Sequence, residues 1–234
     1  RTSRRQRQMC IRDRTQPKMR IRFSTSNPQD MSLDVIKVMS KYENICNYIH
    51  LPVQSGSNKV LKAMNRQHTR EEYINLVENI FQIIPDCSIS HDMISGFPNE
   101  SEQDHNDTLS LMEKVKYSFG YMFKYSERPG TLAAKKLEDN IDEETKSRRL
   151  SEIVELQQKH SLYRSKEFVG KTVEVLIEKE SKKSNLHWAG RNQQNTTVVF
   201  PKENYKIGDF VNVKINSCTS ATLIGEAIAF SKNN

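Results

Sequence analysis

The chain has 234 residues, of which 35 % are hydrophobic, so it is long enough for one large domain or two smaller ones with a lean core. No apolar run approaches the roughly 20 residues of a membrane-spanning helix, and the first residues lack the apolar stretch of a secretory signal. The four cysteines (Cys10, Cys46, Cys87 and Cys218) are too far apart in the sequence to form a metal-binding motif or a compact disulfide framework. Their spacing favours reduced thiols in the cytoplasm.

The formal net charge of +7 is concentrated in the first 22 residues, where nine Arg and Lys accompany one Asp. Residues 1–16 show no apolar periodicity and are not expected to belong to the fold. A basic arm that binds nucleic acid would have this composition, and so would a foreign or disordered leader. A smaller surplus, ten basic against seven acidic residues, falls in residues 165–234.

Strands and helices alternate between residues 17 and 165. Residues 20–25 alternate apolar and polar side chains as a half-buried strand does, and Asn27-Pro28 interrupts the pattern. Three helix starts carry capping residues, namely Ser32, Thr69 with Glu72, and Ser101 with Asp104. Further strands are predicted over residues 46–53, 88–94 and 119–125, and a long helix over residues 142–164. This alternation predicts a parallel sheet, open or barrel-like.

From residue 166 the pattern changes to short strands punctuated by Gly and Asn. Strands are predicted over residues 171–178, 185–189, 196–200, 210–215 and 222–230. Five short strands in so short a segment predict a small antiparallel barrel of the OB-like kind. Such barrels commonly bind nucleic acid.

Two polar segments that follow apolar strands are the strongest functional signal. Residues 49–53 lead into Gln-Ser-Gly-Ser at 54–57, and residues 89–94 lead into Ser-Gly at 95–96. Barrels of alternating strands and helices place their chemistry where strands end. The sequence therefore predicts a site at the ends of these two strands.

These segments resemble the methylthiotransferases, a branch of the radical S-adenosylmethionine enzymes. The matching segments are residues 20–28, 50–66, 92–100 and 125–133, and residues 167–231 resemble the TRAM domain, an RNA-binding barrel. The run from His50 to Ser57, with Arg-Pro-Gly-Thr-Leu-Ala at 128–133, is most similar to the MiaB type, which methylthiolates C2 of isopentenyladenosine at position 37 of tRNA. The resemblance implies an α/β fold: the C-terminal half of a radical S-adenosylmethionine (β/α) barrel, then a TRAM barrel.

The resemblance also implies cofactors and partners. The cofactors would be S-adenosylmethionine and two [4Fe–4S] clusters, and the partners the tRNA anticodon arm and an electron donor such as flavodoxin or ferredoxin, in the cytoplasm and without a membrane. The family's Cys-x3-Cys-x2-Cys motif and three further cysteines are absent from this sequence. We therefore expect a C-terminal fragment that begins near the fourth barrel strand and is not catalytic alone.

The polar strand ends and the resemblance together predict a set of cofactor-binding residues. They are Ser24, Thr25, Gln54, Ser55, Ser57, Asp92 and Gly96. Hydroxyl and amide groups suit a ribose, and Gly96 would let an adenine ring approach the backbone. The structural alternatives are turn chemistry for Ser24 and Thr25, a helix cap for Ser57, an internal ion pair for Asp92 and a turn glycine at Gly96. The turns after Val53 and Ile94 are expected to open onto one cavity for an adenosyl group.

A second set of residues is predicted to bind the substrate or RNA. It comprises His50, Arg66, Tyr125, Arg128, Thr131, Lys182, Lys183, Trp188 and Arg191. Arg128 could hold a phosphate through two hydrogen bonds, and Trp188 could stack on a base. The alternatives are a hydrogen-bonded core histidine at His50, a solvated Arg66, and a Trp188 that fills the core of the small barrel.

Other functions stay open from the sequence. One is a sister methylthiotransferase that acts on threonylcarbamoyladenosine in tRNA or on an aspartate of a ribosomal protein. Another is a non-catalytic RNA-binding module, and a third is a half-barrel that assembles with a separate cluster-bearing subunit. The loop around Arg128 and the surface of the small barrel would distinguish the sister enzymes.

Overall fold

A computed structural model describes residues 19–25 and 27–230 of the chain, without the side chains of residues 132, 229 and 230. The basic leader predicted over residues 1–16 lies outside the described residues. The described part forms two units: a four-stranded parallel sheet with helices, and then a closed five-stranded barrel. This arrangement agrees with the predicted fold class.

The first unit alternates strands and helices. Its strands are β1 (Ile21–Ser24), β2 (Ile45–His50), β3 (Ser88–Ser95) and β4 (Phe119–Lys124), which pair in that order and all in parallel. Its helices are α1 (Leu33–Met39), α2 (Asn58–Ala63), α3 (Arg70–Ile83), α4 (Glu102–Val115), α5 (Leu132–Lys136) and α6 (Glu143–Lys166), with a 3-10 turn over Pro28–Asp30. Because parallel neighbours need crossover connections, the helices return the chain to the start of each next strand.

Helix starts follow the predicted caps. Thr69 and Ser101 each accept a hydrogen bond from the third backbone N–H of their helix, and both capping boxes with Glu72 and Asp104 are complete. Ser32 caps α1 in the same way. Local capping chemistry therefore fixed these helix starts, as the sequence predicted.

The parallel sheet has two unlike faces, because successive side chains of a strand point to opposite sides. We call the first the helical face: Ile49, Ile89 and Met93 are at most 1 % exposed and pack against Ile36, Ile80 and Leu111 of the helices. We call the second the polar face, formed by the alternate residues Arg22, Ser24, Tyr48, His50, Ser90, Asp92, Phe119, Tyr121 and Phe123. The apolar core of this unit thus lies entirely on one side of the sheet.

The second unit is a barrel with its own core. Its strands are β5 (Thr172–Ser181), β6 (Ser184–Arg191), β7 (Thr197–Pro201), β8 (Phe210–Cys218) and β9 (Thr222–Phe230), closed in the order β5-β6-β7-β9-β8. The interior is filled by fully buried side chains, among them Val198, Phe200 and Val213. All strand pairs are antiparallel except β7 with β9, which is parallel and was not predicted.

The barrel docks at the amino ends of the sheet strands. Arg20, just before β1, has a side chain only 3 % exposed, and its guanidinium donates to the Glu174 carboxylate at 2.9 Å. The amide of Gln194 donates to the carboxylate of Asp86, just before β3, at 2.6 Å. Arg22 forms a longer ion pair with Glu178, at 3.4 Å. The polar face therefore runs from the barrel at one end to the strand ends at the other.

Candidate cofactor and nucleic-acid sites

Hydrogen bonds cross the centre of the polar face between β2 and β3. The hydroxyl of the fully buried Ser90 lies 2.8 Å from the Tyr48 hydroxyl and 2.8 Å from His50 Nδ1. The other ring nitrogen of His50 lies 3.4 Å from an Asp92 carboxylate oxygen. Ser90 thus fixes the imidazole, and His50 and Asp92, both predicted from the sequence, form a pair. Tyr48 and Ser90 were missed, since only their alternation with the apolar residues of the strands marks them.

A cation also faces the Asp92 carboxylate. Burial lowers the pKa of Arg66, and the nearby Asp92 charge opposes that shift, so the guanidinium and the carboxylate attract each other. Arg66 is half-buried and stays a predicted substrate-binding residue. The Asp92 side chain is 27 % exposed, which leaves this pair accessible to a ligand.

The two predicted turns are neighbours at the same edge of the sheet. The Gln54 N–H donates to the Asp92 carbonyl at 2.9 Å, and the Ile94 N–H donates to the Gln54 carbonyl at 3.0 Å. The turn after Val53 therefore extends along the end of β3. Gln54 has a φ of 76°, an uncommon conformation for a residue other than glycine, which often accompanies functional sites. A cavity for an adenosyl group between these turns stays a prediction.

Ser55 and Ser57 are directed away from the polar face, towards α4. The Ser55 hydroxyl lies 3.3 Å from that of Thr108, and the Ser57 hydroxyl donates to the Asp104 carboxylate at 2.6 Å while capping α2. Burial alone would raise the pKa of Asp104, but hydrogen bonds from Ser101 and Ser57 outweigh it and lower the pKa. Both serines therefore stabilise the loop, as the structural alternative for Ser57 proposed.

The turn after β3 is closed by internal contacts. Gly96 has a φ of +73°, and a Cβ there would overlap the stem of Lys146 from α6. The Glu100 carboxylate accepts hydrogen bonds from the Gly96 and Phe97 N–H groups, and burial raises the pKa of Glu100 against the opposing charge of Arg149. The close approach at Gly96 is thus made by Lys146, so an adenine ring would have to approach from another side.

The remaining strand-end candidates follow β1 and β4, the two edge strands of the sheet. Ser24 is exposed and sits in register with His50, whereas the Thr25 hydroxyl donates to the Asn27 carbonyl at 2.8 Å within the turn. After β4, the Tyr125 ring packs edge-on against Phe97, and Thr131 caps α5. Arg128 is exposed in the same loop. Ser24 and Arg128 are thus the candidates of these segments whose exposure leaves them open to a ligand.

The small barrel carries a basic cavity of about 530 Å³, which we call the barrel cavity. Its lining includes the predicted Lys182, Lys183 and Arg191, and also Lys179 and His187. Trp188 is not among its lining residues: it packs against the barrel core, and the Lys202 ammonium lies 4.5 Å from its ring centre. The basic candidates are therefore brought together in one cavity, whereas Trp188 lies outside it.

Metal-ligand groups and membrane-spanning helices are both absent from the described residues. Within residues 19–25 and 27–230, no group of three or more His, Cys, Asp or Glu side chains could hold a metal ion. Over the same ranges, no helix combines the length and apolar character needed to cross a membrane.

Comparisons with known proteins agree with the two-unit fold. A family model described as the radical SAM superfamily matches residues 3–112, so its match extends into the basic leader, and a TRAM domain model matches residues 166–228. A solved coproporphyrinogen III oxidase from Escherichia coli, described as a radical SAM enzyme, is similar with a TM-score of 0.56 and 14 % identity over 98 % of this chain and 57 % of that one. At this identity the similarity concerns the fold alone.

Curated relatives are much more similar in sequence. A protein of Christiangramia forsetii is 72 % identical over 94 % of this chain and 46 % of its own length. Relatives from Flavobacterium johnsoniae and Parabacteroides distasonis are 70 % and 52 % identical over 93 % and 91 % of this chain, and 45 % and 46 % of their own lengths. All three are described as tRNA-2-methylthio-N(6)-dimethylallyladenosine synthase. The chain spans about half the length of these relatives.

Proposed function

We propose that this chain belongs to the methylthiotransferase branch of the radical S-adenosylmethionine family and that it functions in the methylthiolation of C2 of N6-isopentenyladenosine at position 37 of tRNA. The observation that carries the proposal is the 72 % identity, over 94 % of the chain, to a relative described as tRNA-2-methylthio-N(6)-dimethylallyladenosine synthase. The name shared by the relatives favours this substrate over threonylcarbamoyladenosine or a ribosomal aspartate.

The strand-end part of the polar face has the right chemistry to hold S-adenosylmethionine. That molecule carries an α-amino group, a carboxylate and two ribose hydroxyls. Arg66 can pair with the carboxylate, and the Asp92 carboxylate can accept from the amino group or the ribose. The Ser90 hydroxyl orients the His50 ring through Nδ1. The other ring nitrogen of His50 faces Asp92 and so helps to hold its carboxylate in place. Exposed Ser24 and the strained Gln54 border the same region.

When bound, S-adenosylmethionine supplies the methyl group and the radical chemistry of the reaction, while this chain binds and orients it. Two [4Fe–4S] clusters and a flavodoxin or ferredoxin that donates electrons complete the proposal, with the reaction in the cytoplasm. The described residues do not fit either cluster, since they contain no suitable ligand group. The cluster ligands would therefore come from outside the described ranges.

The barrel cavity supports the proposed tRNA partner. Its lysines and arginine would contact backbone phosphates of the anticodon arm, so affinity should fall as salt rises. Such contacts position an RNA without reading its sequence. Recognition of the modified base is then left to the polar face.

A chimera tests the proposed function. Residues 20–230 of this chain would replace the matching segment of the Christiangramia forsetii relative, in a bacterial strain without its own such enzyme. Mass spectrometry of tRNA nucleosides should detect the methylthiolated product. Asp92→Asn should reduce the product about tenfold or more, whereas Asp34→Asn, an exposed carboxylate on α1, should not. A folded chimera that leaves isopentenyladenosine unmodified contradicts the proposal.

A further inference from the structure

A second cavity lies between the sheet and the small barrel. It has a volume of about 580 Å³, within the usual range of ligand sites, and we call it the interdomain cavity. Tyr48, Phe119 and Tyr121 line it from the amino end of the polar face, and Arg191 with Thr197 line it from the barrel. No residue assigned to the cofactor above lines it.

Every charged side chain that lines the interdomain cavity is basic. Its lining contains Arg22, Arg164 and Arg191 and no acidic side chain. Arg22 and Arg191 share one carboxylate, that of Glu178, at 3.4 Å each. Long, partly exposed ion pairs of this kind contribute little free energy, so an incoming anion can replace them. The Arg22 Nε atom is buried without a hydrogen-bond partner in the described structure.

The same cavity presents two aromatic rings. Phe119 is 48 % exposed and Tyr121 51 %, although large apolar side chains are usually buried. Their rings meet edge to face, with centres 5.0 Å apart at 87°, so they offer two aromatic faces at a right angle. Bases of every type stack on such faces.

The interdomain and barrel cavities are adjacent, because Arg191 and Thr197 line both of them. A polymer with repeated negative charge and aromatic bases matches this shape better than a single small molecule does. At its other end, Tyr121 packs edge-on against His50, with ring centres 6.0 Å apart.

We propose that the interdomain cavity binds one unpaired nucleotide of the substrate RNA. Its base stacks on Phe119 or Tyr121, and its phosphate lies between Arg22 and Arg191 in place of Glu178. This inference rests on the proposed function, because it takes the substrate to be an RNA, and it adds a binding site between the barrel and the polar face.

The test compares looped and fully paired RNA. The chain is titrated with a stem–loop that carries 2-aminopurine in its loop and with a duplex of equal length. In the double variant Phe119→Ala with Tyr121→Ala, the Kd for the stem–loop should rise about tenfold and the quenching of 2-aminopurine should disappear. The Kd for the duplex should not change. Phe123→Ala is the matched control, since Phe123 is 54 % exposed on the same strand and face but does not line the cavity.

The outcomes separate the two proposals. If the unmodified chain binds neither RNA, the proposed RNA function fails and this inference fails with it. If the chain binds the stem–loop and the double variant binds it as tightly as Phe123→Ala does, only the interdomain nucleotide is overturned. Should the double variant unfold, Phe119→Leu with Tyr121→Leu, which keeps apolar bulk at both positions but lacks both rings, replaces it with the same expected loss of quenching.

Discussion

The helical and polar faces of the parallel sheet are built from the same four strands and differ in almost every other respect. Ile49 and Met93 on the helical face are fully buried in a continuous apolar core. Their sequence neighbours His50 and Asp92 lie on the polar face, where a ring nitrogen of His50 lies 3.4 Å from an Asp92 carboxylate oxygen and the Asp92 side chain is 27 % exposed. The comparison shows that one face provides the stability of the sheet while the other is free to carry chemistry. Substitutions on the helical face should therefore cost more stability than substitutions on the polar face.

The largest expected effect is on the helical face. Ile49→Ala removes methyl groups from a fully buried site and should lower the free energy of unfolding by about 3 kcal/mol. Phe123→Ala removes a larger side chain from the polar face but should cost only about 0.5 kcal/mol, because that ring is 54 % exposed. Urea unfolding of both variants measures the contrast. Equal losses in the free energy of unfolding would contradict the conclusion that the helical face provides the stability of the sheet.

A buried histidine makes the helical face sensitive to acid. Burial lowers the pKa of His91 to about 4, and its Nε2 lies 2.8 Å from the Gln157 side-chain oxygen. The unfolded chain, with a pKa of about 6.5, takes up the proton first, so stability falls as the pH drops. From about pH 7 to about pH 5 the loss should be about 2 kcal/mol. In His91→Gln this part of the slope should vanish; an unchanged slope in urea titrations would refute the assignment.

A smaller effect is expected where the sheet meets the barrel. Arg20→Met removes a nearly buried cation from Glu174 and should cost about 1.5 kcal/mol, whereas Arg22→Met, whose ion pair is longer and more exposed, should cost about 0.5 kcal/mol. The lone tryptophan, Trp188, reports on the barrel by fluorescence, and circular dichroism reports largely on the helices. In Arg20→Met the two unfolding transitions should separate. Coincident transitions would show that Arg20 does not couple the units.

Much of the fold could be predicted because its signals are local. The caps at Ser32, Thr69 and Ser101 act within one helical turn, and all three are present as predicted. The small barrel was recognisable from strand length and turn residues, although the parallel pairing of β7 with β9 was not. That pairing depends on how distant strands close the barrel, which no local pattern records.

The candidate site was predictable only in part. His50 and Asp92 stood out as polar residues within apolar strands, but their partner Ser90 looked like an ordinary strand residue, since its role arises only when β2 and β3 pair. Conversely, Ser55 and Ser57 looked exposed at a turn, yet their hydroxyls bind side chains of α4 about fifty positions away in the sequence. The pattern of a single sequence shows which residues are polar, but it does not show which groups they contact in the folded protein.

Arg191 belongs to both the barrel cavity and the interdomain cavity, and its guanidinium also donates to the Asn195 carbonyl at 2.8 Å. One guanidinium can adopt only one position at a time, so an occupant that draws it towards one cavity changes the affinity of the other. By thermodynamic reciprocity the factor is the same in both directions. If both cavities bind RNA as proposed, the two RNA segments do not contribute independent affinities, and shortening the RNA at one end should alter how firmly the other end is held.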